Sequence, residues 1–216
     1  MTIIGVDPSV TSTGVAVDHD GEVTLSQIEP GKLKPPLTGL GRLVYITGEI
    51  LEACIGGPDV LLVIEGPGRQ QGYGIVNVAL HWMIRRELAF GAPTLQTLVV
   101  PPATLKKFVT DDGRAGKSEV GQGIKDRWGD EYEGTLQEDV AEAFALMHVG
   151  RCWLGQGKFL QKQKGCLQKL AVEEDGQSRI AGMEAYFGNL REWAGAPEKP
   201  RDSATEAQGQ ATERRA

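Results

Sequence analysis

Two short apolar runs that each end in an acid constrain most strongly how this chain can fold. One run, residues 2–7, ends at Asp7, and the other, residues 59–65, ends at Glu65 and is otherwise almost entirely Val, Leu and Ile. A strand as apolar as the second is typical of the middle of a sheet whose two faces are both covered by helices. These runs therefore predict a layered α/β protein with two acids at the ends of core strands.

Turn signals and helical periodicity arrange the remaining elements around these two strands. Segments 13–17 and 22–28 follow the first strand closely, which favours an antiparallel meander of three strands. Helical patterns cover residues 37–54, 75–90, 103–109, 117–128 and 136–153, and a further strand pattern covers 95–100. The order predicts an α/β fold with a mixed sheet flanked by helices.

Composition favours one domain of ordinary size with additional chain at its C-terminal side. The 216 residues are 40% hydrophobic and 24% charged, which is enough to build a real core. No apolar stretch reaches the ~18 residues of a membrane span, and three cysteines without CxxC spacing favour reduced thiols in a cytoplasmic protein. We expect a folded domain over residues 1–153, a basic, partly helical extension over 154–193 and a disordered tail over 194–216.

Charge is distributed unevenly along the chain and leaves two interpretations open. The net charge is −6, yet residues 151–170 carry five basic and no acidic side chains. An acidic body with a basic arm fits an enzyme that gathers carboxylates around metal and binds phosphates elsewhere. It fits equally well an ordinary acidic protein with a solvated helix.

Asp139 and Glu142 add a second pair of acids to the two at the strand ends. Three residues apart in one helical pattern, they lie on one helix face, next to the apolar face that packs on the sheet. Each strand-end acid alone could simply begin a turn. Four carboxylates that converge beside a core repel one another, and a divalent cation removes that cost. Such a set can hold two hard cations ~3.5–4 Å apart, as enzymes of in-line displacement at phosphorus do.

Four stretches, in this order and spacing, resemble the RuvC-type Holliday junction resolvases of the RNase H-like superfamily. They are Ile3-Ile4-Gly5-Val6-Asp7-Pro8-Ser9, Thr13-Gly14-Val15-Ala16, Val63-Ile64-Glu65 and Asp139-Val140-Ala141-Glu142-Ala143-Phe144-Ala145-Leu146. The resemblance implies an RNase H-like mixed sheet, three antiparallel strands followed by parallel ones. It also implies a homodimeric, metal-dependent endodeoxyribonuclease that nicks branched DNA: four-way junctions, with forks and flaps as further candidates.

The resemblance also implies the cofactors and the catalytic residues. Two Mg²⁺ ions per site, for which Mn²⁺ could substitute, would be bound by Asp7, Glu65, Asp139 and Glu142. The last of these departs from the Asp of the best-known cellular members. The extension beyond residue 150 resembles those of bacteriophage-encoded relatives, which would place the protein in the host cytoplasm.

Two groups of residues are candidates for DNA contact. The loop after Glu65 carries Arg69, Gln70 and Tyr73, and by the resemblance it faces the junction centre. Tyr73 could stack there on an unpaired base, or the loop could simply be solvated. The second group comprises Lys106, Lys107, Lys117 and Ser118. These residues could bind phosphate, or form an ordinary wet helix face with Ser118 as a cap.

Two further predictions concern the dimer interface and His148. The helical pattern 75–90 is our candidate dimer interface, because it has more apolar residues than one face requires: Val78, Leu80, Trp82, Met83 and Leu88. His148 lies six residues beyond Glu142, which places it off the face of the acids and predicts a surface or packed histidine rather than a ligand.

Two alternative functions are weighed against a nuclease. An actin-like or sugar-kinase-like ATPase shares the opening strand, turn and strand, but it needs two such domains, and no second hairpin of that kind follows residue 30. A protein that binds junctions without cutting them would not need all four acids.

Overall fold

The computed structural model describes residues 1–33, 35, 37–54, 59–67, 74–91, 96–129, 131, 137–156, 163, 166, 167 and 170. The predicted tail over 194–216 and the loop residues Arg69, Gln70 and Tyr73 lie outside these described residues. So do four of the five basic residues of the 151–170 segment, Lys158, Lys162, Lys164 and Lys169.

Along the described chain the elements follow the predicted order. The strands are β1 (Thr2–Asp7), β2 (Thr13–His19), β3 (Glu22–Ile28), β4 (Val60–Glu65) and β5 (Gln96–Val100). The helices are α1 (Gly39–Cys54), α2 (Gly74–Gly91), α3 (Pro102–Thr110), α4 (Lys117–Trp128) and α5 (Glu138–Trp153). A 3-10 turn, Pro30–Lys32, lies between β3 and α1.

The five strands form one mixed sheet in the order β3-β2-β1-β4-β5. The pairs β1/β2 and β2/β3 are antiparallel, whereas β1/β4 and β4/β5 are parallel. The predicted mixed sheet is confirmed. Because Val6 pairs with Ile64, the parallel strands β1 and β4 end side by side and place Asp7 next to Glu65 at one edge of the sheet.

Helices cover both faces of the sheet, and each face has its own apolar cluster. One cluster packs β1 and β4 residues such as Ile3 and Val63 against α3, α4 and α5. The other packs Ile4 and Leu62 against α1 and α2. Successive side chains of a strand point to opposite faces of the sheet, so each strand contributes residues to both clusters. This explains why these strands have no polar face.

Helix α5 is buried almost all around and lies directly against the sheet. Two glycines allow this close approach: a Cβ on Gly5 would lie 2.1 Å from the Ala143 carbonyl oxygen, and a Cβ on Gly14 would lie 1.9 Å from the Asp139 carbonyl oxygen. A side chain larger than hydrogen at either position would push the helix away. The glycine in β2 therefore seats the first turn of α5 beside the ends of β1 and β4.

The structure corrects the expectation for the face of α2. Leu80, predicted as part of a dimer surface, is completely buried and packs with Ile84 against the sheet. These two residues lie one turn apart, so the core-facing stripe of α2 runs through them. Among the residues of this helix whose side chains the structure describes, the exposed large apolar ones are Ile75 and Val76 at its beginning. No helix of the described chain has the length and apolarity to cross a membrane.

Four described residues of the C-terminal extension are buried in the core. Gln163, Cys166, Leu167 and Leu170 are helical and buried. Gln163 Nε2 donates a hydrogen bond to the Phe108 carbonyl oxygen at 3.0 Å.

Arg151, the first basic residue of the 151–170 segment, does not project into solvent as a phosphate-binding arm would. Its Nε donates to Asp18 Oδ2 at 2.5 Å, and its Nη1 donates to Glu131 Oε2 at 2.7 Å. These charge-assisted bonds fasten the end of α5 to β2 and to the segment that follows α4.

Candidate metal centre

Two strand ends and one helix bring the four predicted acids to a single cleft. Asp7 ends β1, Glu65 ends β4, and Asp139 and Glu142 lie in the first two turns of α5. All four line a cleft of about 310 Å³ at the carboxyl edge of the parallel strands. The acids converge because β1 and β4 end side by side and because α5 packs closely against β2.

Three of these acids form the tightest group. Asp7, Glu65 and Glu142 each offer a carboxylate oxygen, and these atoms all lie within 4.8 Å of one another. Asp139 is half-buried on the cleft wall and lies outside this triad. Glu142, the residue that departs from the family pattern, therefore reaches the cluster with its longer side chain.

The electrostatics of the triad favour a bound cation. Burial, followed by the negative charges of Glu65 and Glu142, holds the pKa of Asp7 well above its ordinary value. Burial and the charge of Glu142 raise the pKa of Glu65 to about 7. Burial, followed by the charge of Glu138, raises the pKa of Glu142. Each carboxylate is thus costly to ionise beside the others.

The donor set fits a hard divalent cation. Asp7 lies within hydrogen-bonding reach of both Glu65 and Glu142, and two carboxyl groups can bond in this way only when one of them carries a proton. A cation at the same point would replace that proton and neutralise more than one carboxylate at once. Mg²⁺ and Mn²⁺ prefer oxygen ligands of this kind, whereas the softer metals prefer thiolate or imidazole.

Two of the predicted DNA-contact lysines stand at the cleft. Lys106 on α3 and Lys117 at the start of α4 both line it, and their positive charges lower the pKa of Glu65. Lys117 Nζ donates to Glu138 Oε1 at 2.7 Å. The lysines thus place positive charge beside the acids, where a phosphate would need it.

The two remaining described candidates, Lys107 and Ser118, lie outside the cleft. Lys107 is exposed on α3. Ser118 lines an adjoining groove between α4 and α5. The alternative role of Ser118 as a helix cap is wrong, because Gly116 is the N-cap of α4 and its backbone N–H donates to the Glu119 carboxylate at 2.7 Å.

His148 is a packed histidine, as predicted. Its ring stacks on Trp128 with 4.4 Å between ring centroids and meets the edge of Phe144. Burial and the charge of Arg151 lower the pKa of His148 to about 3, so the ring is neutral at physiological pH.

Two residues of the cleft were not found from the sequence. Asn77 and His81 lie one turn apart on α2 and line the same cleft as the four acids. Their signal was a polar pair with i, i+4 spacing inside an otherwise apolar helix. It was missed because the sequence does not tell which stripe of that helix faces the sheet edge.

Comparison with known proteins shows the fold. No family model matches the chain, and no curated protein matches it. The chain is similar to a solved structure of Thermus thermophilus RuvC, with 20% identity and a TM-score of 0.52 over 74% of this chain and 100% of that one. It is also similar to T. thermophilus RuvC in complex with a Holliday junction substrate, with 21% identity and a TM-score of 0.50 over 74% of this chain and 99% of that one. The RuvC-type, RNase H-like fold implied by the resemblance is thereby confirmed.

Proposed function

We propose that this chain is a metal-dependent endodeoxyribonuclease that nicks Holliday junctions and other branched DNA. The observation that carries the proposal is the triad of buried Asp7 and half-buried Glu65 and Glu142, gathered at the carboxyl edge of a RuvC-type sheet. The similarity to a RuvC structure that holds a Holliday junction substrate supports branched DNA as the substrate class. Asp139 would complete the set of four acids at the wall of the cleft.

The reaction is hydrolysis of one phosphodiester bond. The oxygen of water bonds to phosphorus and gives up a proton to solvent, while the bond from phosphorus to one sugar oxygen breaks and that oxygen takes up a proton. Two Mg²⁺ or Mn²⁺ ions held by the acids would supply the activation of water and the stabilisation of charge at phosphorus.

The acids and the lysines of the cleft would have opposite effects on DNA binding. The four acids repel a phosphate, so DNA should enter the cleft only when cations offset their charge. Lys106 and Lys117, on helices beside the acids, would attract the phosphates of the DNA backbone to the cleft. This local positive charge makes DNA binding compatible with the overall charge of −6.

The protein would act as a homodimer, because symmetric nicking of one junction needs two active sites related by a two-fold axis. Ile75 and Val76, which are 84% and 41% exposed at the start of α2, are apolar residues that such an interface would cover. Light scattering at micromolar protein should give twice the mass of the chain without DNA, and the mass of two chains plus one junction with it. A monomer mass under both conditions would contradict the dimer.

A panel of substrates tests the proposed activity. Labelled four-way junctions, forks, flaps and linear duplex are incubated with the protein and Mg²⁺ or with EDTA, and ATP hydrolysis is measured in parallel. We expect nicking of branched DNA in Mg²⁺, none in EDTA and little ATP turnover. ATP hydrolysis without nicking would favour the ATPase alternative, and junction binding without nicking would favour a structural protein.

Two Asp→Asn variants make the same chemical change inside and outside the cleft. Asp7→Asn should abolish nicking, whereas Asp126→Asn, on the exposed side of α4, should leave it unchanged. Both variants should remain folded by circular dichroism, because neither removes packing volume.

A further inference from the structure

A groove between α4 and α5 adjoins the acidic cleft. It has a volume of about 310 Å³ and shares two lining residues, Lys117 and Glu142, with the cleft. Gly121 and Lys125 lie further along its α4 side. A ligand that occupies the cleft at Lys117 can therefore continue into the groove along the surface of the protein.

The residues on the α4 side of the groove have a regular spacing. Lys117, Gly121 and Lys125 follow one another at four-residue intervals, which places them on one face of the helix. The two lysines are thus about 12 Å apart along the helix axis, at 1.5 Å per residue. A strand of duplex DNA carries one phosphate about every 3.4 Å of its axis. The lysines are therefore spaced to meet two phosphates that lie about three to four nucleotides apart on one strand.

The far end of the groove is positively charged. Lys125 is exposed, and no ion pair or hydrogen bond ties it to the described chain. Asp126, its neighbour in the sequence, does not line the groove. The two acids that do line it lie at the end nearest the cleft, because Glu142 also lines the cleft and Glu138 accepts a hydrogen bond from Lys117 Nζ. Within the described chain, the charge of Lys125 is thus available to an acidic ligand.

Gly121, between the two lysines, leaves this side of the groove open. A Cβ on Gly121 would meet no other part of the described chain within 4 Å, so packing does not require glycine there. Gly123 is different, because a Cβ at that position would lie 2.9 Å from Val109 Cγ1. A long side chain at position 121 would project between the lysines and obstruct a ligand that lies along them.

We propose that this groove binds one strand of a duplex arm of the branched substrate where the arm leaves the cleft. Lys117 and Lys125 pair with two phosphates of that strand, and its backbone passes over Gly121. This role rests on the proposed nuclease function and adds to it the direction of one arm. Phosphate contacts of this kind fix the orientation of a duplex without reading its sequence.

A scan of single phosphates tests this path. In a series of junctions, each phosphate within about ten nucleotides of the cut, one helical turn, is replaced in turn by a neutral methylphosphonate. The half-saturating junction concentration for nicking in Mg²⁺ is measured for the parent, Lys117→Ala and Lys125→Ala. Lys32→Ala is the matched control, because Lys32 is also exposed and lines neither the cleft nor the groove.

We expect one phosphate to be coupled to Lys125. Its neutralisation should raise the half-saturating concentration of the parent about two- to fivefold, the usual size of an exposed ion pair. Lys125→Ala should show that loss with the unmodified junction and no further loss with the neutral phosphate, while its nicking rate at saturation stays parental. The phosphate coupled to Lys117 should lie about three to four nucleotides away on the same strand. Lys32→Ala should respond to each substitution as the parent does.

Gly121→Gln gives an independent readout. Gln is a better helix former than Gly and would enter open space, so the melting temperature should equal or exceed that of the parent. The half-saturating junction concentration should nevertheless rise at least as much as in Lys125→Ala. Gly48→Gln is the control, because Gly48 is an equally open position on α1 and lines neither the cleft nor the groove. It should leave nicking unchanged.

Two results would overturn the proposal: no phosphate coupled to Lys125, or a folded Gly121→Gln protein with the parental half-saturating concentration. If the parent binds junctions without nicking them, the same couplings are read from filter binding, which tests the groove apart from catalysis. A parent that nicks but shows no coupling refutes the groove alone. A parent that neither binds nor nicks branched DNA refutes the proposed function and the groove with it.

Discussion

Replacing Glu65 by Gln should stabilise the metal-free protein at neutral pH, although it destroys a metal ligand. Glu65 has a pKa of about 7 in the folded protein, against an ordinary value of 4.5. The folded state therefore binds a proton over a pH range in which the unfolded state has already lost it. The free energy of unfolding falls as pH rises from about 4.5 to about 7, because stability declines wherever the folded state holds more protons.

The size of this effect follows from the pKa shift. Each unit corresponds to 1.36 kcal/mol, so ionised Glu65 costs roughly 3 kcal/mol above pH 7. Gln keeps the shape of the side chain and removes the charge. We expect Glu65→Gln to exceed the parent by up to about 3 kcal/mol at pH 8, or roughly 6–12 °C in melting temperature for a chain of this length. Below pH 4.5 the two proteins should unfold alike.

Thermal unfolding in EDTA between pH 4 and pH 8 measures this difference. Glu52→Gln, an exposed residue of α1, is the control for loss of a carboxylate and should change little. Added Mg²⁺ should raise the melting temperature of the parent more than that of Glu65→Gln, since a ligand that binds the folded state more tightly stabilises it more at the same concentration. A Glu65→Gln protein that is less stable than the parent at pH 8, or that shows the same difference at pH 4, would refute the reasoning.

Three other predictions concern metal and DNA binding. Glu142→Gln should lose most Mg²⁺-supported nicking. Glu142→Asp should keep part of the nicking activity, and Mn²⁺ should increase that part because it accepts looser ligand geometry than Mg²⁺. A Gln variant that nicks within about twofold of the parent rate would show that Glu142 is dispensable. Lys106→Ala should reduce the slope of log binding constant against log salt concentration by ~0.9 for the junction. Lys107 is exposed outside the cleft, so Lys107→Ala should change this slope less. Equal slopes for the two variants would contradict the assignment. Glu138→Gln should tighten junction binding a few-fold at low salt, because it releases Lys117 from its ion pair for a phosphate; unchanged affinity in a filter-binding assay would mean that the pair does not compete with DNA.

The fold could be predicted from local sequence signals. The apolar runs that end at Asp7 and Glu65 required a sheet covered on both faces, and the short turns required antiparallel pairing before the first helix. The convergence of acids followed from the same pattern, because parallel strands end at one edge and Asp139 and Glu142 share a helix face. These inferences depend only on the periods of strands and helices.

The rest of the site depends on how helices rotate against the sheet, which periodicity alone does not determine. Leu80 was assigned to a dimer surface although it packs in the core, and its helix neighbours Asn77 and His81 were overlooked for the same reason. Both errors disappear once α2 is oriented by its contacts with α1 and the sheet. Similarly, the sequence leaves the role of Arg151 open between a phosphate-binding arm and a solvated helix, because its partner Asp18 lies more than a hundred residues away along the chain.

The location of bound Mn²⁺ is the most direct test of the carboxylate cluster as the centre of this protein's chemistry. Crystals of the parent would be soaked in Mn²⁺ at a concentration that supports nicking, and the ion would be located by anomalous scattering. We predict density bonded to carboxylate oxygens of Asp7, Glu65 and Glu142, and its loss in Asp7→Asn crystals. Anomalous density elsewhere on the chain, with none at these three residues, would contradict the assignment.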